Sequence, residues 1–196
     1  VTGSARLDAF RRGGDSLMGR YFLYRMSQLS VGELLRQDLP ADLLAPPKPM
    51  SPARYRQLLE RGGFPEPFLA DARFGNRWRE LRRQQLVRED VRDLARVHEI
   101  GQLEVMETLL RARSGTALTY SDLASTVNVA VDTARRWVGL LLHLHHGFLV
   151  RPWFKNVAKS LRKEPKWYLT DWSGIDDAGQ RAETFVACHL LKAVQT

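Results

Sequence analysis

A run of basic and aromatic residues between positions 151 and 166 has the residue types best suited to a chemical role. It holds six basic residues against a single acid, Glu164, which gives a net charge of +5. The basic residues are Arg151, Lys155, Lys159, Arg162, Lys163 and Lys166. Trp153, Phe154 and, just beyond, Trp167 are interleaved with these charges. Cations neutralise a phosphate backbone and aromatic rings stack on bases, so the run suits nucleic-acid binding. A solvated lysine-rich loop is the alternative interpretation.

A second candidate surface lies at the start of a helix predicted over residues 132–144. Thr133, Arg135 and Arg136 would face outward there, and the arginines could meet phosphates or guanine edges. Residues 101–150 as a whole hold four basic and four acidic side chains. A neutral segment is a poor DNA reader by itself, so a protein-protein or interdomain spacer is the other interpretation.

Residue types for other chemistry are sparse. His143 and His146 share a helical face without an accompanying carboxylate or cysteine, which favours packing or helix capping over a metal site. We find no G-x-x-x-x-G-K-S/T loop, no dinucleotide-binding glycine motif and no Ser/His/Asp or Cys/His pairing. Cys188 falls in an apolar helix predicted over residues 182–194, as is typical of a core residue. The residues by themselves therefore predict neither an enzyme nor a metal centre.

The elements that would position the two surfaces follow a known order. One helix is predicted to start at Thr119 or Ser121, a short turn at 128–131 follows, and then comes the helix over 132–144. A strand at 148–150 and a loop or second strand complete the series. This is the order of a winged helix-turn-helix, whose second helix can enter a DNA major groove. The inward positions of that helix are Ala134, Trp137, Val138 and Leu141.

Further elements are predicted upstream of this unit. Aromatic and apolar residues favour a strand over 21–26, and Ser30 with Glu33 forms a capping box. A helix over 52–61 closes at a glycine pair, and the prolines that follow predict an extended stretch over 64–68. Two amphipathic helices are predicted next. The first covers 76–99, with Trp78 and Leu81 on its apolar face and an arginine-rich outer surface, and the second covers 102–113.

Composition limits the class of protein. The 196 residues carry a net charge of +8, 44% are hydrophobic and 27% charged, which is typical of a soluble globular chain. No apolar run is long enough to cross a membrane, and the single cysteine, Cys188, suits a reducing, cytoplasmic setting. The opening residues Val1-Thr2-Gly3-Ser4 resemble the end of a buried strand, so we expect a fragment of a longer protein.

Several motifs, in order along the chain, resemble one protein family. They are Gly3 to Leu17, Gly19-Arg20-Tyr21, Leu29-Ser30 to Glu33-Leu34, Gly63 to Phe68, Arg88-Glu89-Asp90, Asp132 to Trp137, Lys155 to Lys166 and Tyr168 to Asp171. The chain is similar to bacterial and archaeal ATP-binding proteins that join an AAA-type ATPase core to a C-terminal domain of unknown function. The resemblance covers nearly the whole chain and lacks only the Walker motifs, which would come earlier.

The resemblance implies a fold that is mainly α with minor β. A central winged helix-turn-helix would be flanked by the tail of a P-loop α/β core and the start of a nuclease-like α/β domain. The implied division is 1–48 for the ATPase core, 49–75 for a proline-rich connector, 76–154 for the helical region with the winged helix, and 155–196 for the nuclease-like start.

The resemblance also implies roles for individual residues. Thr2 or Ser4 would lie at the family's nucleotide-sensing position, and Arg20 would lie where a phosphate-sensing or finger arginine acts, with an ion pair to Asp8 or Asp15 as the alternative for Arg20. Glu183 would match the first acid of a nuclease-like fold. ATP and magnesium are expected for the parent protein, and self-association through the ATPase core is a possible partner interaction. The family's helix cap is replaced here by Ala130-Val131, so Asp132 is expected to have taken over that cap.

Three hypotheses about function follow from these observations. The first is a non-catalytic DNA-binding portion of an AAA-type ATPase, the second is a docking module without nucleic-acid binding, and the third is the remnant of a metal-dependent nuclease that uses Glu183. The charge distribution favours residues 151–166, rather than the second helix, as the first contact with a phosphate backbone.

Overall fold

The computed structural model describes residues 26–36, 46, 48–86, 99–155 and 163–195. This part of the chain is mainly α-helical with one small antiparallel sheet. Its helices are α1 (Val31–Leu35), α2 (Pro52–Arg61), α3 (Pro65–Leu69), α4 (Ala72–Gln85), α5 (Ile100–Ala112), α6 (Tyr120–Val127), α7 (Val131–His143) and α8 (Ala178–Gln195). The strands are β1 (Gly147–Val150) and β2 (Lys166–Leu169), and a 3-10 turn covers Trp172–Gly174.

A first hydrophobic cluster, the helical core, is built by α5, α6, α7 and β2. The inward positions predicted for α7 are confirmed, because the side chains of Ala134, Trp137, Val138 and Leu141 are all fully buried. Leu103, Met106 and Leu110 of α5 are also fully buried, and Trp167 of β2 closes the cluster. Burying apolar side chains of this size contributes roughly 1.5–3 kcal/mol each, so these residues hold α7 in place.

A short turn joins α6 to α7. Asn128 ends α6 in the left-handed region at φ +56°, and Val129 packs against the helical core. Ala130 is the residue before the first turn of α7 and makes no side-chain cap. The prediction that Asp132 caps this helix is wrong. With Val129 anchored, the helix begins at Val131, so Asp132 already lies inside the first turn.

The two strands pair in antiparallel fashion. Gly147 pairs with Leu169, and Val150, the last residue of β1, pairs with Lys166, the first residue of β2. A Cβ atom on Gly147 would lie 2.3 Å from ring carbons of Trp167, so only glycine fits at this crossing. An isolated bridge between Ala117 and Lys166 attaches the segment before α6 to the same strand. Strand β2 therefore pairs both with β1 and, at Lys166, with the segment before α6.

A second hydrophobic cluster, the joint core, brings together segments that are far apart in the sequence. Its buried residues are Leu58, Phe68, Trp172 and Phe185, and Leu29, Val31, Leu34, Leu59 and Cys188 pack against them. The indole N–H of Trp172 donates to the carbonyl of Leu58 at 3.0 Å. Residues assigned by sequence to the ATPase tail, the connector and the nuclease-like start thus share one core.

Buried polar contacts join the two clusters. The Ser114 and Thr184 hydroxyls, both fully buried, lie 2.8 Å apart, and the Leu169 amide donates to the Ser114 hydroxyl at 2.9 Å. Because buried polar groups without partners are costly, this bridge fixes α8 against β2.

Several predicted elements can be compared with the structure. The Ser30–Glu33 capping box and the helix over 52–61 are confirmed. The extended stretch predicted over 64–68 is wrong, because its prolines fall in the first turn of α3, where amide donors are not needed. Residues 21–25 of the predicted strand lie outside the described residues.

The arginine-rich helix differs from its prediction at its start. It begins at Ala72 rather than residue 76, because the Asp71 carboxylate accepts from the Phe74 amide at 2.8 Å. Leu81, expected on the apolar face, is 55% exposed. Residues 87–98 of this prediction lie outside the part of the chain that the structure describes. No helix in the described ranges is both long enough and apolar enough to cross a membrane.

Candidate nucleic-acid interface

The segment that leaves β1 presents a basic and aromatic face. Residues 151–155 alternate: Arg151, Trp153 and Lys155 are exposed, whereas Pro152 and Phe154 are half-buried. Lys163, three residues before β2, is exposed as well. No acidic partner of Arg151, Lys155 or Lys163 occurs among the ion pairs of the described residues. Because Val150 pairs with Lys166, the segment that leaves β1 and the segment that enters β2 meet the sheet at the same end. We call Arg151, Trp153, Lys155 and Lys163 the loop face.

The aromatic residues of this region fall into different environments. Trp153 is 83% exposed, whereas Trp167, which the sequence placed in the same basic and aromatic run, is 1% exposed and belongs to the helical core. The prediction that Trp167 stacks on bases is therefore wrong, since β2 turns its side chain inward. Trp153 remains as the exposed ring of the run.

The start of α7 has a different electrostatic setting. An Arg135 guanidinium nitrogen lies 2.7 Å from an Asp132 carboxylate oxygen, and the same guanidinium lies over the Tyr120 ring, 5.3 Å from its centre. Arg136 is exposed and Thr133 is half-buried. One of the two arginines predicted to contact DNA is thus engaged within the protein. We call Thr133, Arg135 and Arg136 the helix face.

Lys166, predicted to contact DNA, and Glu183, the candidate nuclease acid, form an ion pair in the structure. The Lys166 ammonium lies 3.0 Å from Glu183 Oε1, and the Tyr168 hydroxyl donates to the same oxygen at 2.8 Å. These hydrogen bonds, with that of Tyr168 the stronger, lower the pKa of Glu183, and the Glu183 carboxylate raises the pKa of Lys166. Glu183 lies one turn inside α8, rather than at its start, and its observed contacts tie α8 to β2.

His143 and His146, the two histidines considered for a metal site, lie in different environments. His143 is exposed in the last turn of α7, whereas His146 lies beyond that helix with its Nε2 3.2 Å from Glu107 Oε1. Glu107 is 1% exposed, and Arg83 lies 3.8 Å from its other oxygen. Glu107 was not singled out from the sequence. Its position on the same face of an amphipathic helix as the buried Leu103 and Leu110 could have predicted a buried acid. No group of three or more His, Cys, Asp or Glu suited to a metal occurs within the described residues.

Cys188 is confirmed as a packed residue. Burial raises the pKa of its thiol to about 12, and its sulfur lies 3.4 Å from the carbonyl oxygen of Thr170. The thiolate that nucleophilic chemistry needs is therefore disfavoured.

Four predicted site residues fall outside the described ranges: Ser4, Arg20, Lys159 and Arg162. Arg151, Trp153, Lys155 and Lys163 lie in the segments that leave β1 and enter β2, whereas the two arginines lie on α7 with an acid of that helix, Asp132.

Comparisons with known proteins reveal a family without an assigned role. A family model described as a domain of unknown function, DUF8612, matches residues 52–175. The chain is 27% identical over 184 residues to the uncharacterized proteins Mb2031c of Mycobacterium bovis and Rv2008c of Mycobacterium tuberculosis. The alignments cover 90% of this chain and 38% of each relative, so the chain spans well under half of the relatives' length. No solved structure matches.

Proposed function

The chain belongs to the family described as a domain of unknown function, DUF8612, and we propose that it is a nucleic-acid-binding module built on a winged helix-turn-helix. The observation that carries the proposal is the loop face, in which three exposed cations and an exposed tryptophan lie in the segments that flank the paired ends of β1 and β2.

The order of elements supports the winged-helix part of the proposal. Helix α5 is followed by the short bridge at Ala117, then by α6, a three-residue turn, α7 and the β1–β2 hairpin. In such a fold the hairpin loop is the wing and α7 is the helix that faces DNA. The burial of α7 against α5 and α6 leaves the start of α7 on the surface, and Arg151, Trp153 and Lys155 after β1 are exposed too.

The distribution of charge supports contact through the wing. Arg151, Lys155 and Lys163 are exposed, and releasing counterions from DNA favours binding by such cations whatever the base sequence. At the start of α7, Asp132 opposes a phosphate and occupies Arg135. Backbone contact at the wing, with little base reading by α7, is the mode that these charges favour.

The role of the parent protein is a separate proposal. From the resemblance alone, we propose that the chain is the non-catalytic portion of an AAA-type ATPase, in which ATP and magnesium bind to the ATPase core of the parent protein. The wing would then couple nucleic acid to that core.

Fluorescence anisotropy of the 196-residue chain tests the proposal. A labelled duplex of about 20 base pairs and one of its single strands would be titrated at about 50 and 200 mM salt. We expect binding that weakens steeply with salt, since each contacted phosphate contributes a slope of about −0.9 on duplex DNA. Absence of binding to both probes at the lower salt concentration, or binding without salt dependence, would overturn the proposal.

A further inference from the structure

Trp153 is the most solvent-exposed tryptophan in the described part of the chain. Its side chain is 83% exposed, whereas Trp137, Trp167 and Trp172 are at most 1% exposed. Trp78 is half-buried and its indole N–H donates to Glu66 at 2.6 Å. Burying an exposed indole would release roughly 1.5–3 kcal/mol, so a tryptophan left in solvent is a marked exception in this molecule.

The backbone around Trp153 holds its ring outward. Pro152 and Phe154, on either side, are half-buried, and the ring of Pro152 fixes one backbone angle. The exposed side chains at 151, 153 and 155 alternate with half-buried ones, and alternate side chains of an extended chain are separated by roughly 7 Å. Along the sequence the indole stands between two cations, Arg151 and Lys155.

This arrangement matches one kind of nucleic acid better than another. In a continuous duplex every base face is covered by its neighbours, and only base edges are open in the grooves. A planar ring between cations suits a base with an open face, since the cations hold the flanking phosphates while the ring stacks. The helix face, which would read edges in the major groove, is occupied by its own Asp132–Arg135 ion pair.

We propose that Trp153 stacks on an unpaired base, so that the chain prefers single-stranded or single-strand-tailed nucleic acid over a blunt duplex. This inference rests on the proposed function and adds the structural class of the ligand. Arg151 and Lys155 would hold the phosphates on each side of the stacked base, without selecting its identity, because every base has a π face.

The test compares four DNA probes by anisotropy with the intact chain. They are a blunt 20-base-pair duplex, the same duplex with a five-nucleotide single-stranded tail, a blunt 25-base-pair duplex that controls for added phosphates, and a 20-nucleotide single strand. We expect the tailed duplex and the single strand to bind about tenfold more tightly than either blunt duplex, as one stacked base allows.

Two variants assign the preference to the ring. Trp153→Ala should weaken binding of the tailed duplex and the single strand until the tenfold preference over the blunt duplexes is lost, whereas Trp153→Phe should keep part of the preference. Tryptophan emission gives a second readout, because the tailed probe should quench a component that is missing in Trp153→Phe. Circular dichroism of both variants would show that they fold.

The outcomes separate this inference from the proposed function. Equal binding to all probes, or a preference that survives in Trp153→Ala, would overturn the stacking inference while nucleic-acid binding stands. Failure of every probe to bind at about 50 mM salt would overturn both.

Discussion

The loop face and the helix face each carry a pair of basic residues close together in sequence, yet the pairs differ in what surrounds them. Arg151 and Lys155 flank an exposed tryptophan and have no acidic partner among the described ion pairs. Arg135 lies 2.7 Å from Asp132 and over the Tyr120 ring. One of the two cations of the helix face is therefore paired with an acid, whereas none of the three cations of the loop face is paired among the described residues.

This difference shows that the attraction of a phosphate depends on which basic side chains lack an acidic neighbour, and not only on how many there are. An exposed ion pair contributes little to stability, about 0–1 kcal/mol, but it reduces the field that a phosphate meets. The structure also assigns Lys166 to Glu183, so one of the charges counted in the 151–166 run is engaged. Exposed cations on the loop face remain for an external partner.

Neutralising the loop face should have the largest effect on binding. The double variant Arg151→Gln with Lys155→Gln should lose at least about tenfold in affinity for nucleic acid at about 50 mM salt, because two phosphate contacts disappear. Its salt slope should fall by about two. Anisotropy over a range of salt concentrations measures both quantities.

The matched control neutralises the helix face. Arg135→Gln with Arg136→Gln removes the same number of charges, and we expect a loss of about threefold or less, because Arg135 already pairs with Asp132. If the helix variant lost more affinity than the loop variant, the ranking of the two faces would be reversed.

Removing the carboxylate of Asp132 at the start of α7 should increase the affinity of the helix face for nucleic acid. Asp132→Asn frees Arg135 and removes a charge that repels phosphates, so affinity should rise by about two- to threefold at low salt. The gain should shrink at about 300 mM salt, where exposed charges are screened. An unchanged affinity at low salt would mean that α7 lies away from the bound nucleic acid. The variant Asp122→Asn, which alters an acid on α6 paired with Arg113, is the control.

A smaller gain should follow from releasing Lys166. Glu183→Gln keeps the size of the side chain but removes the carboxylate that holds the Lys166 ammonium, so we expect affinity to rise by less than about twofold.

The contribution of Glu183 to the free energy of unfolding should depend on pH. Its hydrogen bonds lower its pKa, so that contribution is present above the ordinary value of 4.5 and is lost as the pH falls through the lowered value. Urea denaturation of both proteins at pH 7 and pH 4 measures it, and equal pH dependence in the two would contradict this role.

Mild acid should affect the fold without altering the charge of the loop face. His189 accepts a hydrogen bond from the Val31 amide at 3.1 Å, and burial lowers its pKa, with Lys192 acting in the same direction and Glu33 in the opposite one. Its neutral form is favoured in the folded state, so stability is full above the unfolded value near 6.5 and declines as the pH falls below it. The midpoint of urea denaturation should therefore be lower at pH 5.5 than at pH 7.5.

A pair of histidine variants tests that assignment. His189→Gln should reduce the difference between the two midpoints, whereas the exposed His143→Gln should leave it unchanged. A difference that persists in His189→Gln would assign the acid sensitivity to another group. Lysine and arginine do not titrate in this range, so the charge of the loop face is the same at both pH values.

Local signals in the sequence predicted most of the helices. The Ser30–Glu33 capping box, the proline at the start of α2 and the apolar positions of α7 act over one or two turns, and all are confirmed. The stretch 64–68 was predicted wrongly because the same proline chemistry permits either an extended chain or a first helical turn. Burial of Phe68 in the joint core accompanies the helical choice.

Contacts between distant segments could not be predicted from a single sequence. The joint core brings Leu58, Trp172 and Phe185 together, and no periodicity links positions so far apart. The same holds for the Glu183–Lys166 contact, which depends on how α8 packs against β2. The Asp132–Arg135 ion pair could have been predicted from the sequence, because residues three apart on a helix are neighbours. The inward turn of Trp167 depends on strand register, which the sequence left open.

Chemical-shift mapping of the amide resonances tests the central claim most directly, because it reports on both faces in one experiment. The tailed duplex would be titrated into the 15N-labelled chain at about 50 mM salt. We predict the largest shift changes at residues 151–155 and 163–166, with small changes at Thr133, Arg135 and Arg136. Changes concentrated at residues 131–136, with residues 151–155 unmoved, would contradict the claim that the loop after β1 is the nucleic-acid contact.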